Sequence, residues 1–226
     1  MFSTRRTPGL LRRIALTAAA LVGVANLFHR VLFPSPTPDP NTFPREGDRF
    51  GSTAEGITQE VVAVRDGWLV LRSELAPGAD GPPLHLHQGF AEVFHVESGT
   101  VHLELPSGVI QLGPGQTYRI EAGVPHRPFN PTSEPAVIAG TEPVMPQSFG
   151  ASLVQIYPML DEAGGKLTPS LLLHVFALDP IFDSHPPGVP KLVRAAVDWL
   201  VVPFARMFGY RNYYPERSLH PPAGRG

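Results

Sequence analysis

The stretch PPLHLHQGFAEVFHVESGTV, residues 82–101, places His85, His87 and Glu92 within eight positions and then returns to the apolar/polar alternation of a strand. In extended chain, residues two apart share a face, so His85 and His87 point to one place while Leu86 points away. A turn over Gln88 to Ala91 brings Glu92 onto the next strand. From there the alternation predicts a hairpin with its tip at Ser98-Gly99, pairing Val96 with Val101 and Phe94 with Leu103 on the inner face that also carries Glu92. His95, Glu97, His102 and Glu104 fall on the outer face.

A second stretch, GPGQTYRIEAGVPHRPFN, residues 113–130, supplies His126. Gly123 and Pro125 form a tight turn that delivers this histidine from another strand into the same cavity. The chain has no cysteine, which excludes disulfides, thiolate metal sites and a thiol nucleophile. Imidazole and carboxylate suit a divalent transition metal: iron or manganese foremost, with zinc, nickel or copper as alternatives. Three histidines and a glutamate leave one or two positions of an octahedral metal open to substrate or dioxygen, unlike the closed sphere of a structural site.

Around these stretches, residues 58–140 alternate with period two between Gly, Pro, Asp and Asn. The predicted strands are EVVAV, WLVLRSEL, PLHLH, AEVFHVE, TVHLEL, GVIQL, QTYRI, PHRPF and AVIAG. Many short strands at close spacing argue for a sandwich or barrel, and the lack of a long internal repeat argues for a single one. After about residue 148 the pattern turns helical. TPSLLLHVFAL starts with Thr168 as N-cap and Pro169 at the first helical position, with His174 read as an ordinary helix histidine. In VPKLVRAAVDWLVVPFARMFGY, Pro203 is expected to bend or split the helix. These helices are expected to pack on the barrel or the N-terminal helix, with a membrane-interface position as the alternative.

Ahead of the barrel, Ile14 to Phe28 is an uncharged, mostly apolar run of 15 residues, flanked by Arg12, Arg13, His29 and Arg30. It is short of the roughly 20 residues that span a bilayer, but snorkelling arginines would lengthen it. The expectation is a membrane anchor with a cytoplasmic N-terminus and an extracytoplasmic barrel. A cleaved signal on a secreted protein and a soluble helix on a cytoplasmic one are the alternatives. Prolines at 34, 36, 38, 40 and 44 then predict a semi-rigid spacer. The resulting division is 1–33 anchor or signal, 34–54 proline-rich linker, 55–145 barrel and 146–226 helical extension.

Composition is that of a globular protein, 42% hydrophobic and 17% charged. Residues 1–30 carry five arginines and no acid, and residues 191–226 six basic residues against Asp198 and Glu216, so the segment between them is strongly acidic. An acidic middle repels phosphates and excludes a nucleic-acid partner, while basic ends suit anionic lipid.

His85-x-His87-x4-Glu92-x6-Gly99 and Gly115-x5-Glu121-x-Gly123-x2-His126-x3-Asn130 resemble the two motifs of the cupin superfamily. The opening glycine is approximated by Gly78 or Gly81, and Glu121 stands where the family generally has proline. The resemblance covers about residues 55–145. It implies a mainly β fold, a single cupin-type double-stranded β-helix (jelly-roll) barrel, here with an N-terminal membrane helix and C-terminal α-helices. It also implies His85, His87, Glu92 and His126 as metal ligands and a homodimer as the default assembly. The tail FARMFGYRNYYPE resembles that of a group of bacterial cupins. The expected function is a mononuclear-metal oxidoreductase, dioxygenase-like, acting on a small, partly apolar molecule in a pocket walled by Phe94, Val96 and Leu103. The alternative is a non-catalytic, membrane-tethered protein that binds or senses a small ligand. Isomerases and decarboxylases share the fold, so fold alone selects none of these. Tyr118, Arg119 and Arg127 flank the second motif, placed either to orient a substrate carboxylate or to pair with surface acids.

Overall fold

The computed structural model describes residues 8–32, 37–178 and 181–222. Its strands are β1 (Arg49–Ser52), β2 (Ile57–Arg65), β3 (Trp68–Leu75), β4 (Glu92–Ser98), β5 (Val101–Leu105), β6 (Gly108–Leu112), β7 (Thr117–Ile120), β8 (Arg127–Phe129), β9 (Ala136–Ile138) and β10 (Met145–Pro146). Its helices are α1 (Pro8–Leu32), α2 (Gln147–Glu162), α3 (Pro169–Leu178) and α4 (Lys191–Met207). One sheet runs β1-β2-β3-β9-β4-β7, with β10 also paired to β3; the other runs β6-β5-β8. All pairings are antiparallel.

The larger sheet shares its inner face between two partners. Near Ile57 and Leu75 it packs on the smaller sheet, in a core with Phe94, Val96, Val101, Leu103, Leu112, Ile120 and Ile138. Near Val61, Leu69 and Leu71 it packs instead on α2, through Phe149, Leu153, Val154 and Tyr157. The smaller sheet thus covers only part of the larger one, and α2 completes the cover. Buried residues ring α2 on every side, as expected of a helix sunk in the core rather than laid on its surface. Gly150 permits the close approach, since a Cβ there would come within 2.3 Å of the Leu69 side chain.

The hairpin predicted at Ser98-Gly99 does not form. β4 pairs with β7 and β9, whereas β5 pairs with β6 and β8. Gly99 takes φ 73° and lies against the Pro135 carbonyl, where a Cβ would come within 2.3 Å. The chain therefore crosses there from one sheet to the other instead of folding back. His95 and His102 are separated as a result. His95 Nδ1 lies 2.6 Å from the Thr117 hydroxyl, while His102 is buried beside Phe129 at 5.3 Å between ring centroids.

The segment expected as a spacer carries β1 and a single 3-10 turn, Pro40–Thr42. Phe43 is buried edge-on to Tyr213, and the Thr42 hydroxyl donates to the Tyr213 hydroxyl at 3.0 Å, so the spacer is tied to the C-terminal tail. The Thr168 hydroxyl accepts from the Leu171 N–H at 3.2 Å, the cap read from sequence. α4 continues through Pro203 as one helix.

The membrane expectation is overturned. α1 is 25 residues long, yet among the described residues no helix is long and apolar enough to cross a membrane. The physical reason is length: 15 uncharged residues rise about 22 Å as a helix, against roughly 30 Å of hydrocarbon. Asn26 adds a polar group within that run, its amide bonded to the Val22 carbonyl at 3.0 Å. The N-terminal anchor and the extracytoplasmic placement built on it are both withdrawn. Residues 1–7 and 33 of the predicted anchor, 34–36 of the spacer and 179–180 and 223–226 of the extension lie outside the described residues.

Candidate metal centre

The segment holding His85 and His87 is gripped on both edges. On one side His85 and His126 exchange backbone hydrogen bonds at 3.0 and 2.7 Å, and the Gly123 N–H donates to the His87 carbonyl at 2.6 Å. On the other, Leu86 and His185 exchange a second pair, both at 3.0 Å. Glu92 opens β4 and faces this seam from the larger sheet.

The four side chains converge. The Nε2 atoms of His85 and His87 are 3.1 Å apart, and His126 Nε2 lies 2.8 Å from a Glu92 carboxylate oxygen. One ligand atom from each of the four residues fits within 4.8 Å of all the others. The opposite ring nitrogens face backbone carbonyls: His85 Nδ1 that of Pro83 at 2.8 Å, His126 Nδ1 that of Val124 at 2.9 Å, and His87 Nδ1 that of Asp183. A carbonyl only accepts, so each Nδ1 carries a proton; Nε2 of His85 and His87 presents its lone pair to the common point, and Nε2 of His126 does so once the proton it donates to Glu92 is displaced. Phe90 stacks on His87 at 4.3 Å and Phe149 meets it edge-on at 5.0 Å, which fixes the ring plane.

Electrostatics favour the ligating forms of His85 and Glu92, and hold a proton on His126 that a metal would have to displace. Burial, helped by the neighbouring imidazoles and opposed by Glu92, lowers His85 to about 4, so it is neutral at physiological pH. Burial pushes the Glu92 carboxyl up, but the His126 hydrogen bond and the three imidazoles outweigh it and hold the group ionised, at about 2. His126 is shifted upward because its bond to Glu92 overcomes burial. Three imidazoles with fixed tautomers and one ionised carboxylate are a donor set that fits a divalent transition metal.

The centre lines a cavity of about 920 Å³. Its walls are mostly apolar, with Leu71, Leu75, Phe94 and Ile138 from the sheet and Phe149, Leu153 and Ile156 from α2; α3, α4 and the segment around Phe182 line the rest. Of the residues expected to wall the pocket, Phe94 lines it. Val96 and Leu103 lie fully buried between the two sheets, because the cavity opens toward α2 rather than deeper into the barrel. Arg127 lines the cavity but bonds Glu104 at 2.7 Å and lies over Phe129. Arg119 pairs with Glu121 and, like Tyr118, is exposed on β7.

Sequence reading missed Asp183 and Glu55. The Asp183 carboxylate accepts from the Gln88 and Gly89 N–H groups and pairs with His185 at 2.9 Å, while its carbonyl takes the His87 Nδ1 proton. The C-terminal extension thereby holds one of the four candidate ligands. Its only signal in sequence is an acid two residues before a histidine in FDSH. Glu55, in the turn between β1 and β2, is 9% exposed, and burial followed by the charge of Asp161 raises its carboxyl to about 7.

Residues 71–141 match the family model of the cupin domain. No curated protein matches the chain in sequence. Among solved structures, the chain is similar to a sugar phosphate isomerase of a cupin superfamily from Silicibacter pomeroyi, at 24% identity over 45% of this chain and 71% of that one, with TM-score 0.35. It is also similar to a cupin-2 domain containing protein from Shewanella frigidimarina, at 26% identity over 38% and 78%, with TM-score 0.32.

Two outcomes are expected here. Asp183→Ala leaves the carbonyl that holds His87 Nδ1 but frees the 88–89 turn and His185, loosening the segment that carries this carbonyl, and should weaken metal binding about tenfold in a chelator competition. For Glu55, the folded group titrates above the unfolded one. It costs nothing below about pH 4.5, stability is lost as pH rises through 7, and the full loss is about 3 kcal/mol. Glu55→Gln should therefore be more stable than the parent in urea at pH 8 and equal to it at pH 4.

Proposed function

We propose, taking residues 71–141 as a cupin domain, that the protein is a mononuclear-metal oxidoreductase of the dioxygenase kind whose substrate is a small, largely apolar molecule. The observation that carries this reading is the convergence of four candidate ligands at a large, mostly apolar cavity whose wall includes three of them, His85, His87 and Glu92. A structural metal site would be closed by protein on all sides, whereas these ligands lie where a bound molecule has access to them.

His85, His87, Glu92 and His126 would hold the metal, which when bound supplies adjacent open positions for an oxygen-bearing substrate and for dioxygen. The remaining work falls to the chain. The carbonyls of Pro83, Val124 and Asp183 hold the three imidazoles in the ligating tautomer. Before a metal binds, the His126 Nε2–H donated to Glu92 keeps that carboxylate ionised and directed inward. Phe94, Phe149, Leu71 and Leu153 exclude water and present an apolar surface to the body of the substrate.

The reading is tested in an oxygen electrode with the full chain loaded with ferrous iron, offered apolar phenols, catechols and long-chain carboxylates. Oxygen uptake with one of these classes, abolished in the His85→Ala/His126→Ala double variant, is the expected result. Silence across the panel, combined with ligand-dependent rises in melting temperature, would replace the enzyme by a ligand-binding protein.

A further inference from the structure

We infer that the cavity contains a second polar subsite, formed by Glu55, Gln59, Ser73 and Tyr157, that takes the ammonium group of an apolar amine. The inference rests on the reading that a small apolar molecule occupies the cavity, and is independent of the metal.

The inner faces of β2 and β3 read Ile57, Gln59, Val61 and Leu71, Ser73, Leu75. Register pairs Ile57 with Leu75, Gln59 with Ser73 and Val61 with Leu71. The one polar pair therefore sits between two apolar pairs, where the sheet passes from the cover of the smaller sheet to that of α2, and both of its residues line the cavity. Gln59 is 8% exposed, and its side-chain oxygen has no hydrogen-bond partner among the described residues. Buried polar groups are normally satisfied, so an unsatisfied one on a residue that lines a cavity marks a place where a ligand, met by a turn of the side chain, completes the pairing.

Glu55 and Tyr157 add two further polar groups to the wall of the same cavity. Both are buried and line the cavity, and the negative charge of Glu55 acts on the Tyr157 hydroxyl. Neither the Glu55 carboxyl nor the Tyr157 hydroxyl is hydrogen-bonded by a described residue. Asp161 is the near neighbour of Glu55, but its carboxylate is taken up by the Ser52 hydroxyl at 2.7 Å and the Ala54 and Thr53 N–H groups at 2.9 and 3.1 Å. It therefore adds a like charge without satisfying Glu55.

This arrangement selects the ligand. A carboxylate, an amide oxygen and two hydroxyls offer mainly acceptors, which calls for a donor. The charges acting on Glu55 and Tyr157, those of Asp161, Glu55 and Glu92, are all negative, which calls for a cation at this point of the wall; Arg127 and Arg194 line the same cavity but are not among the charges acting on this pair. A buried carboxyl without a counter-charge is unfavourable, and an ammonium supplies both the charge and the N–H donors. The apolar walls take the rest of the molecule.

Isothermal titration calorimetry on the full chain with decylamine, 1-decanol and decanoate, kept below micellar concentrations, separates the possibilities. The expected result is that decylamine binds at least tenfold tighter than decanol and that decanoate does not bind. Glu55→Gln, nearly isosteric, should bring decylamine down to the level of decanol, and Gln59→Leu should weaken it several-fold. The His85→Ala/His126→Ala variant should retain the amine preference, which sets this subsite apart from the metal centre. Equal binding of decanol and decylamine, or unchanged amine binding in Glu55→Gln, would overturn the subsite alone. Failure of all three probes would overturn both the subsite and the apolar-ligand reading.

Discussion

His85 and His126 exchange both of their backbone hydrogen bonds although they come from distant segments of the chain. That closed pair sets the spacing of two imidazoles before any metal is considered, and the Gly123 to His87 bond extends the seam to a third. Because each Nδ1 then meets a carbonyl, the lone pairs have a single direction left. A site assembled this way loses little conformational entropy on binding, since its rings are already fixed by backbone contacts and by Phe90 and Phe149.

The C-terminal extension completes both the fold and the site. α2 takes over the half of the larger sheet that the smaller sheet leaves bare, and in doing so creates the cavity where the two cores meet. Farther on, Asp183 and His185 form the outer edge of the ligand segment. The buried, unpaired Glu55 carboxyl lowers stability at neutral pH, a pattern found where a group is kept for binding rather than for folding.

Much of this was legible in the residues. The strands were written in the period-two alternation, and the four convergent side chains that could hold a metal in their spacing, because such a cluster needs particular side chains at short range. What could not be read depends on contacts between distant segments. Nothing local says that Gly99 crosses between sheets, since its close neighbour is the Pro135 carbonyl. Val96 and Leu103 read as inward-facing and are so, but whether an inward residue meets core or cavity depends on where α2 lands. Gln59 and Ser73 interrupt two apolar faces visibly, yet only the β2–β3 register makes them neighbours. The N-terminal helix was read as a span by letting snorkelling arginines extend a 15-residue apolar run, but among the described residues no helix is long and apolar enough to cross a membrane.

The central claim is that three imidazoles and one carboxylate bind one metal ion in a single open centre. X-ray absorption spectroscopy of the full chain, reconstituted with one equivalent of ferrous iron, tests it most directly. The account predicts scattering from three histidine rings and a first shell of nitrogen and oxygen, with the imidazole signature reduced in His85→Ala. Iron bound without imidazole scattering, or iron not retained by the folded chain, would contradict it.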